Sequence, residues 1–352
     1  MKHKTFFRII AITAMCITLF STCNKNNDDG TFAGVEVTSV TLDKANLTLL
    51  VGKTATFTAT VLPESATDKT VTWTSSDPTV VEANKGWIAA LRPGTATITA
   101  TTKDGGKTAT CNVTVFSESE LEMVLVEGGT FMMGCSDDEC SVVELPTHQV
   151  TLSSFSIGKY PVTQRQWEII MGSTVIELAE SVGYPEYVFG VGDDYPMYWV
   201  SWNEAQEFIE KLNVITGKQY RLATEAEWEF AARGGNGSQG YKYSGSDDFD
   251  AVAWHSENSA GTSHPVGTKA PNELGIYDMS GGIWEFCNDR YGAYTDEAQT
   301  NPQGPTKGSF RVIRGGSWDE HVIFCRVANR MRGYISPSIR IPDFGFRLAL
   351  SN

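Results

Sequence analysis

The hydrophobic period changes once along this chain, and that change decides how many folds the sequence encodes. Between residues 35 and 116 apolar side chains recur at every second position: Ala55, Phe57, Ala59 and Val61, then Ala96, Ile98 and Ala100, then Cys111, Val113 and Val115. Thr fills most of the positions between them, as expected of strands with one face in a core and the other in water. Turn residues punctuate the runs at Val51-Gly52-Lys53, Ser76-Asp77-Pro78, Arg92-Pro93-Gly94 and Asp104-Gly105-Gly106. Short strands at this spacing, with Trp73 near their middle, predict a small β-sandwich over 35–116.

Past a polar connector at 117–122 the period lengthens. Ser201-Trp202-Asn203-Glu204 is a capping box, in which a Ser hydroxyl and a Glu three residues on satisfy each other's unpaired amides. Trp202, Ala205, Phe208, Ile209, Leu212 and Ile215 follow at helical spacing up to Gly217, a suitable helix end. A second box at Thr224-Glu225-Ala226-Glu227 opens a shorter helix, and a third helix runs from Thr163 to Gly172. Two domains are expected on this evidence, 35–116 and 120–352, folding independently about an exposed connector. A length of 352 residues agrees, because one core seldom grows past about 250–300 residues. The formal charge is −14 and no Lys/Arg stripe appears, so no nucleic-acid partner is expected.

Residues 1–22 carry Lys2, Lys4 and Arg8, then an apolar run from Ile9 to Phe20, then Ser21 and Thr22 before Cys23. The run is too short to span a bilayer and resembles a bacterial lipoprotein signal, which implies lipidation at Cys23. Residues 23–34 are polar and read as a flexible tether. An exported chain attached to the outer membrane through its lipid alone, and displayed at the cell surface, is the expectation. Five cysteines then remain, Cys111, Cys135, Cys140, Cys287 and Cys325, an odd number that leaves at least one thiol free or paired between chains. Cys135 and Cys140 flank a polar loop and could close a small disulfide ring; a zinc site there is the alternative.

The run VTWTSSDPTVVEANKGWIAALRPGTATITATT resembles the bacterial Ig-like group 2 domain. Members of that family serve as spacers or adhesion modules. Six segments of the second domain fall in one order: MVLVEGGTFMMG at 123–134, HQVTLSSFSIGKYPVTQRQW at 148–167, YRLATEAEWEFAARGG at 220–235, HPVGTKAPNELGIYDMSGGIWEF at 264–286, RGGSW at 314–318 and GFRLA at 345–349. Together they resemble the formylglycine-generating enzyme, or sulfatase-modifying factor, family. The resemblance implies an α+β, loop-rich relative of the C-type lectin fold with calcium held in loops.

Enzymes of that family hold copper between two cysteines shortly after the GGS segment. Cys325 matches the later of the two, while the earlier falls on Glu320. A hard carboxylate is a poor substitute for a thiolate on Cu(I), so copper is not expected and Cys325 is the catalytic candidate only if oxidase chemistry survives. His148, His255, His264 and His321 show no His-x3-His spacing for a non-haem iron site. Calcium is the expected ion, with Asn258, Ser259 and Glu285 as its oxygen ligands.

Between RGGSW and GFRLA relatives commonly carry Asn and Asp, whereas this chain clusters His321, Val322, Ile323 and Phe324, then Arg332, Tyr334, Ile335, Ile339, Arg340, Ile341, Asp343 and Phe344. Aromatic, Ile and Arg side chains gathered on one loop predict a contact patch for a protein or glycan ligand. Segments 321–324 and 332–344 also lack Lys, Glu, Gln, Met and Trp, the types an Asn codon cannot reach by replacement of its two adenines. A gap of that length arises by chance about one time in fifty. It resembles the variable proteins of diversity-generating retroelements, whose lectin-like domains end in an adenine-mutagenised repeat. The expected function is a surface lipoprotein presenting a ligand-binding loop; a formylglycine-generating oxidase and a structural part of the cell envelope are the rivals.

Overall fold

The computed structural model describes residues 34–332 and 336–351. Cys23, Tyr334 and Ile335 lie outside the described residues. In the first domain the expected alternation places Ala96, Ile98 and Ala100 of the strand Gly94–Thr102 against Cys111, Val113 and Val115 of Thr108–Phe116, all of them buried. These two strands lie at the centre of a four-stranded sheet flanked by Asn46–Leu50 and Val71–Ser75. A three-stranded sheet of Thr54–Thr56, Trp87–Ala90 and Val81–Asn84 faces it, and Phe57 stacks on Trp73 at 6.1 Å. The run from Ala55 to Val61 is not one strand: it breaks after Thr56, and Ala59–Leu62 pairs instead with Ser39–Leu42.

All three expected helices of the second domain form. α1 (Gln164–Met171) is capped by Thr163 and ends at Gly172, α3 (Trp202–Thr216) by Ser201 and ends at Gly217, and α4 (Glu225–Ala232) by Thr224. α2 (Val175–Ser181) was not anticipated, although its Thr174/Glu177 box is of the same kind. α5 (Phe249–Val252) is a single turn. One sheet takes strands from both ends of the domain, in the order Met123–Val126, Phe155–Gly158, Leu348–Ser351, Tyr220–Leu222. A second runs Arg330–Arg332, Arg311–Arg314, Trp284–Arg290, Phe344–Gly345. Both sheets, with α1 and α3, bury one core around Trp167, Phe208, Trp284 and Phe346. Among the described residues no helix is long and apolar enough to cross a membrane.

The connector departs from expectation. Leu50 and Phe116 of the first domain join the core of the second beside Trp167 and Ile170, and Thr48 donates to the Ile169 carbonyl at 3.2 Å. Residues Glu118–Glu120 form a 3-10 turn capped by Ser117. Tyr220 donates to Glu118 at 2.8 Å, Lys218 pairs with the same carboxylate, and Arg165 pairs with Glu120 at 3.1 Å. The connector is polar because its side chains have charged partners on the next domain, and those partners hold the domains as one body. Phe116, fully buried, is expected to cost about 3–5 kcal/mol when replaced by Ala. Denaturant unfolding followed separately by probes in each domain should give coincident transitions that shift together in Phe116→Ala. Limited proteolysis of the native chain should leave 117–122 intact.

Candidate ligand-binding site

The last loop begins at the turn that follows Arg311–Arg314. Gly315 and Gly316 adopt left-handed backbone at φ 102° and 76°. A Cβ on Gly316 would come within 2.8 Å of the Cys325 sulfur, so only Gly lets the turn lie on that thiol. His321 caps the 3-10 turn Val322–Cys325 by accepting from the Ile323 amide at 3.3 Å. Cys325 ends inside a cluster with Tyr243, Val252 and Ala253.

Cys325 and Glu320 both lie where burial disfavours their charged forms. Burial, and then the nearby Glu320, push the Cys325 thiol up to about 12. Burial and Asp319 raise the Glu320 carboxyl as well. One thiol and one carboxyl are not the two-thiolate set that Cu(I) prefers. Cys111 and Cys287 are free and buried too, while Cys135 and Cys140 form the expected disulfide.

Glu285, the expected calcium ligand, is held in a buried ion pair. It is buried, and both its oxygens meet the Arg347 fork at 2.7 Å while Oε2 also accepts from Trp228 Nε1 at 2.7 Å. These three bonds take most of the about four acceptor positions of the carboxylate and leave one on Oε1. Asn258 and Ser259 are also engaged. Asn258 Oδ1 accepts the His255 amide and Nδ2 donates to Asp250, while the Ser259 hydroxyl donates to the Trp318 carbonyl at 2.8 Å and its carbonyl accepts from His264.

The predicted contact loop divides into anchors and exposed tips. Phe344 is core, because it lies in Phe344–Gly345 beside Trp284 and packs edge-on to Phe286. Arg340 is an anchor: its guanidinium pairs with Glu204 and bonds the Leu178 carbonyl and Ser181, and the Glu204 bond raises its pKa further. Phe324 and Ile341 are half-buried against the main core, Val322 against the Cys325 cluster, and Ile323 is also half-buried. Asp343 lies half-buried, its carboxyl pushed up to about 6 by burial against an opposing Ser317 hydrogen bond. Arg332 continues the strand Arg330–Arg332 opposite Val312. His321, and Ile339 at 49%, remain exposed.

Ile339 faces a wall that the sequence reading missed. Tyr184 and Trp199 stack at 6.1 Å with rings 6° from parallel, and with Val182, Ser338 and Ile339 they line an open groove of about 560 Å³ whose floor carries the Glu204–Arg340 pair. Tyr184 and Val182 are exposed. Trp199 is held in left-handed backbone at φ 59° by its amide bond to the Ile341 carbonyl (3.2 Å) and its indole bond to the Tyr187 carbonyl (2.8 Å). Such a conformation is costly for an aromatic residue and persists where surrounding contacts enforce it. Its signal in sequence was an aromatic run, Tyr184, Tyr187 and Phe189, between glycines and acids.

A family model for the sulfatase-modifying factor enzyme 1-like domain matches residues 112–352. The chain belongs to that family. A model for the bacterial Ig-like domain (group 2) matches residues 36–113 ahead of it. Chaperone protein LppX of Paenibacillus barcinonensis is 30% identical over 280 residues, covering 65% of this chain and 89% of LppX. The formylglycine-generating enzyme of Streptomyces coelicolor is 34% identical, covering 64% and 88%. Other curated relatives are longer, and this chain spans 38% of their length. Among solved structures, Treponema denticola variable protein 1 aligns with TM-score 0.57 and 29% identity over 65% of this chain and 95% of that one. The sulfatase-modifying factor fold, C-type-lectin-like, is thus the frame on which the groove is built.

Two outcomes follow for this domain. Glu285→Ala strands a buried Arg347 and should destabilise by about 3–5 kcal/mol, to the same extent in calcium and in chelator; a loss confined to the calcium-loaded protein would restore the metal role. Cys287 and Cys325, like Cys111 of the Ig-like domain, should resist alkylation in the native protein at pH 8 and react only on unfolding, as followed by mass spectrometry.

Proposed function

We propose that this protein is a non-catalytic display protein: a lipoprotein anchored through Cys23 at the outer membrane, in which an Ig-like stalk presents a lectin-like domain that binds a protein partner in the groove between residues 182–199 and 336–341. The exposed mixture of Tyr184, Val182 and Ile339 over a strained Trp199 carries this reading. Aromatic and branched aliphatic surfaces side by side bury well against another protein, whereas a sugar site needs more free polar groups than a floor already spent on the Glu204–Arg340 pair. The likeness to a solved variable protein supports the further reading that the last loop is where sequence variation is tolerated. A near-copy of the last coding segment beside a reverse transcriptase in the adjoining DNA is the expected companion of that reading.

Photocrosslinking on intact cells tests the groove. A benzophenone side chain at Ile339 should capture a protein that the same group at Val214, 87% exposed on α3, does not, and Tyr184→Ala should abolish the adduct. Equal capture at both positions, or none at 339, would refute the groove. Copper-supplemented assays on a sulfatase-motif peptide should give no turnover; turnover lost in Cys325→Ser would promote the oxidase instead.

A further inference from the structure

Away from the groove, the Cys135–Cys140 bridge follows the strand Gly129–Met133, and its two sulfurs have unlike surroundings. Cys135 is 2% exposed, whereas Cys140 is half-buried at the end of a loop whose residues 136–139 are all exposed. Arg326, as deeply buried as Cys135, donates through Nη1 to the Cys135 sulfur at 3.6 Å and to Glu144 at 3.0 Å. The Cys140 sulfur lies instead 2.8 Å from the Asp137 carbonyl oxygen.

A metal ion is poorly served here. Glu144 comes within 4.8 Å of both sulfurs, yet its carboxylate accepts twice from Arg326, once from Asn329 and once from the Ser141 amide, which fills its about four acceptor positions. What is left is a guanidinium N–H aimed at a disulfide sulfur. That sulfur is a weak acceptor while the bridge stands and a strong one once it is a thiolate.

We infer that Cys135–Cys140 is a thiol–disulfide exchange site, entered at Cys140 and released at Cys135. A thiolate on an external molecule attacks the Cys140 sulfur; its bond to Cys140 forms as the Cys135–Cys140 bond breaks, and the electron pair leaves on Cys135 as a thiolate that faces Arg326. A second external thiolate then displaces the first from Cys140. Two thiols thus become one disulfide for each bridge opened, and the Cys140 thiolate takes up a proton that it can donate to the Asp137 carbonyl. Access and leaving-group stability select the same direction, because Cys135 is the shielded sulfur and the better-stabilised thiolate leaves faster.

The neighbouring charges agree with this order. Asp137 Oδ1, 3.3 Å from the Cys135 sulfur, opposes a thiolate there, but Asp137 is exposed and screened by water whereas Arg326 is buried. A cavity of about 300 Å³ that Cys135 borders also carries Arg233, Lys242 and Asp247. Arg233 pairs with Glu229 at 2.8 Å and Lys242 with Glu139 at 3.0 Å, while Asp247 accepts the Lys242 amide.

Reduced glutathione on the native full-length chain is the probe. After acid quenching, peptide mass spectrometry should place glutathione on Cys140 and none on Cys135. With oxidised glutathione, Cys135→Ser should be modified at Cys140, and Cys140→Ser should be modified at Cys135 about tenfold more slowly or less. In the fully reduced chain, ultraviolet thiolate absorbance should show one thiol titrating below the ordinary value of about 8.5, and Cys135→Ser should remove it. Glutathione found first on Cys135, exchange only in denaturant, stoichiometric zinc held by the reduced chain, or no thiolate below the ordinary value would overturn the assignment, whether or not the surface groove binds a partner.

Discussion

The second domain depends on buried arginine–carboxylate forks. Arg347 on Glu285, Arg330 on Glu225 and Arg326 on Glu144 are two-pronged, and Arg314 adds a single-nitrogen contact to Glu229, all inside a chain with few long helices and short strands. Each fork joins residues far apart in sequence: 62 positions for Arg347 and Glu285, 182 for Arg326 and Glu144. Planar two-pronged pairing fixes orientation as well as distance. Regular elements alone leave much of this domain as loop, and the forks convert those loops into a defined scaffold. Their net contribution to stability is small beside the penalty for losing one partner. What they supply is a single arrangement.

How much of this was readable beforehand divides along the same line. Features whose causes are local were legible: the period of two through Val113 and Val115, and the boxes at Thr163, Ser201 and Thr224. Features set by a distant partner were not. Glu285 is a reasonable calcium ligand until Arg347 reaches it, and Arg340 is a reasonable hot spot until Glu204, 136 positions away, takes its guanidinium. Glu118 and Glu120 belong to a polar connector in sequence, yet their partners Tyr220 and Arg165 draw them into an interface. Phe344 read as a surface aromatic because its strand is two residues long and takes its neighbour from Trp284.

The groove and the RGGSW turn that rests on Cys325 are physically continuous. Tyr184 contacts Tyr187, Tyr187 contacts Phe189, and Phe189 lies 4.8 Å from Trp318 in the RGGSW turn. A relay of rings therefore ties the exposed wall to the turn that lies on Cys325. Loop tips can change in such a setting while the wall keeps its position. On the aliphatic side of the groove Ile339 is exposed, whereas Trp199 on the aromatic side is held under strain.

Leu348–Ser351 lies between Phe155–Gly158 and Tyr220–Leu222, so this strand is central to the sheet. The loop at 336–343 comes immediately before it. Any stop codon or frame change within that loop deletes a strand paired on both sides, and the sheet cannot close. Exchange of one side chain for another leaves the strand in place. The fold thus discards truncations within that loop, whereas exchange of an exposed side chain such as Ile339 leaves the closing strand in place.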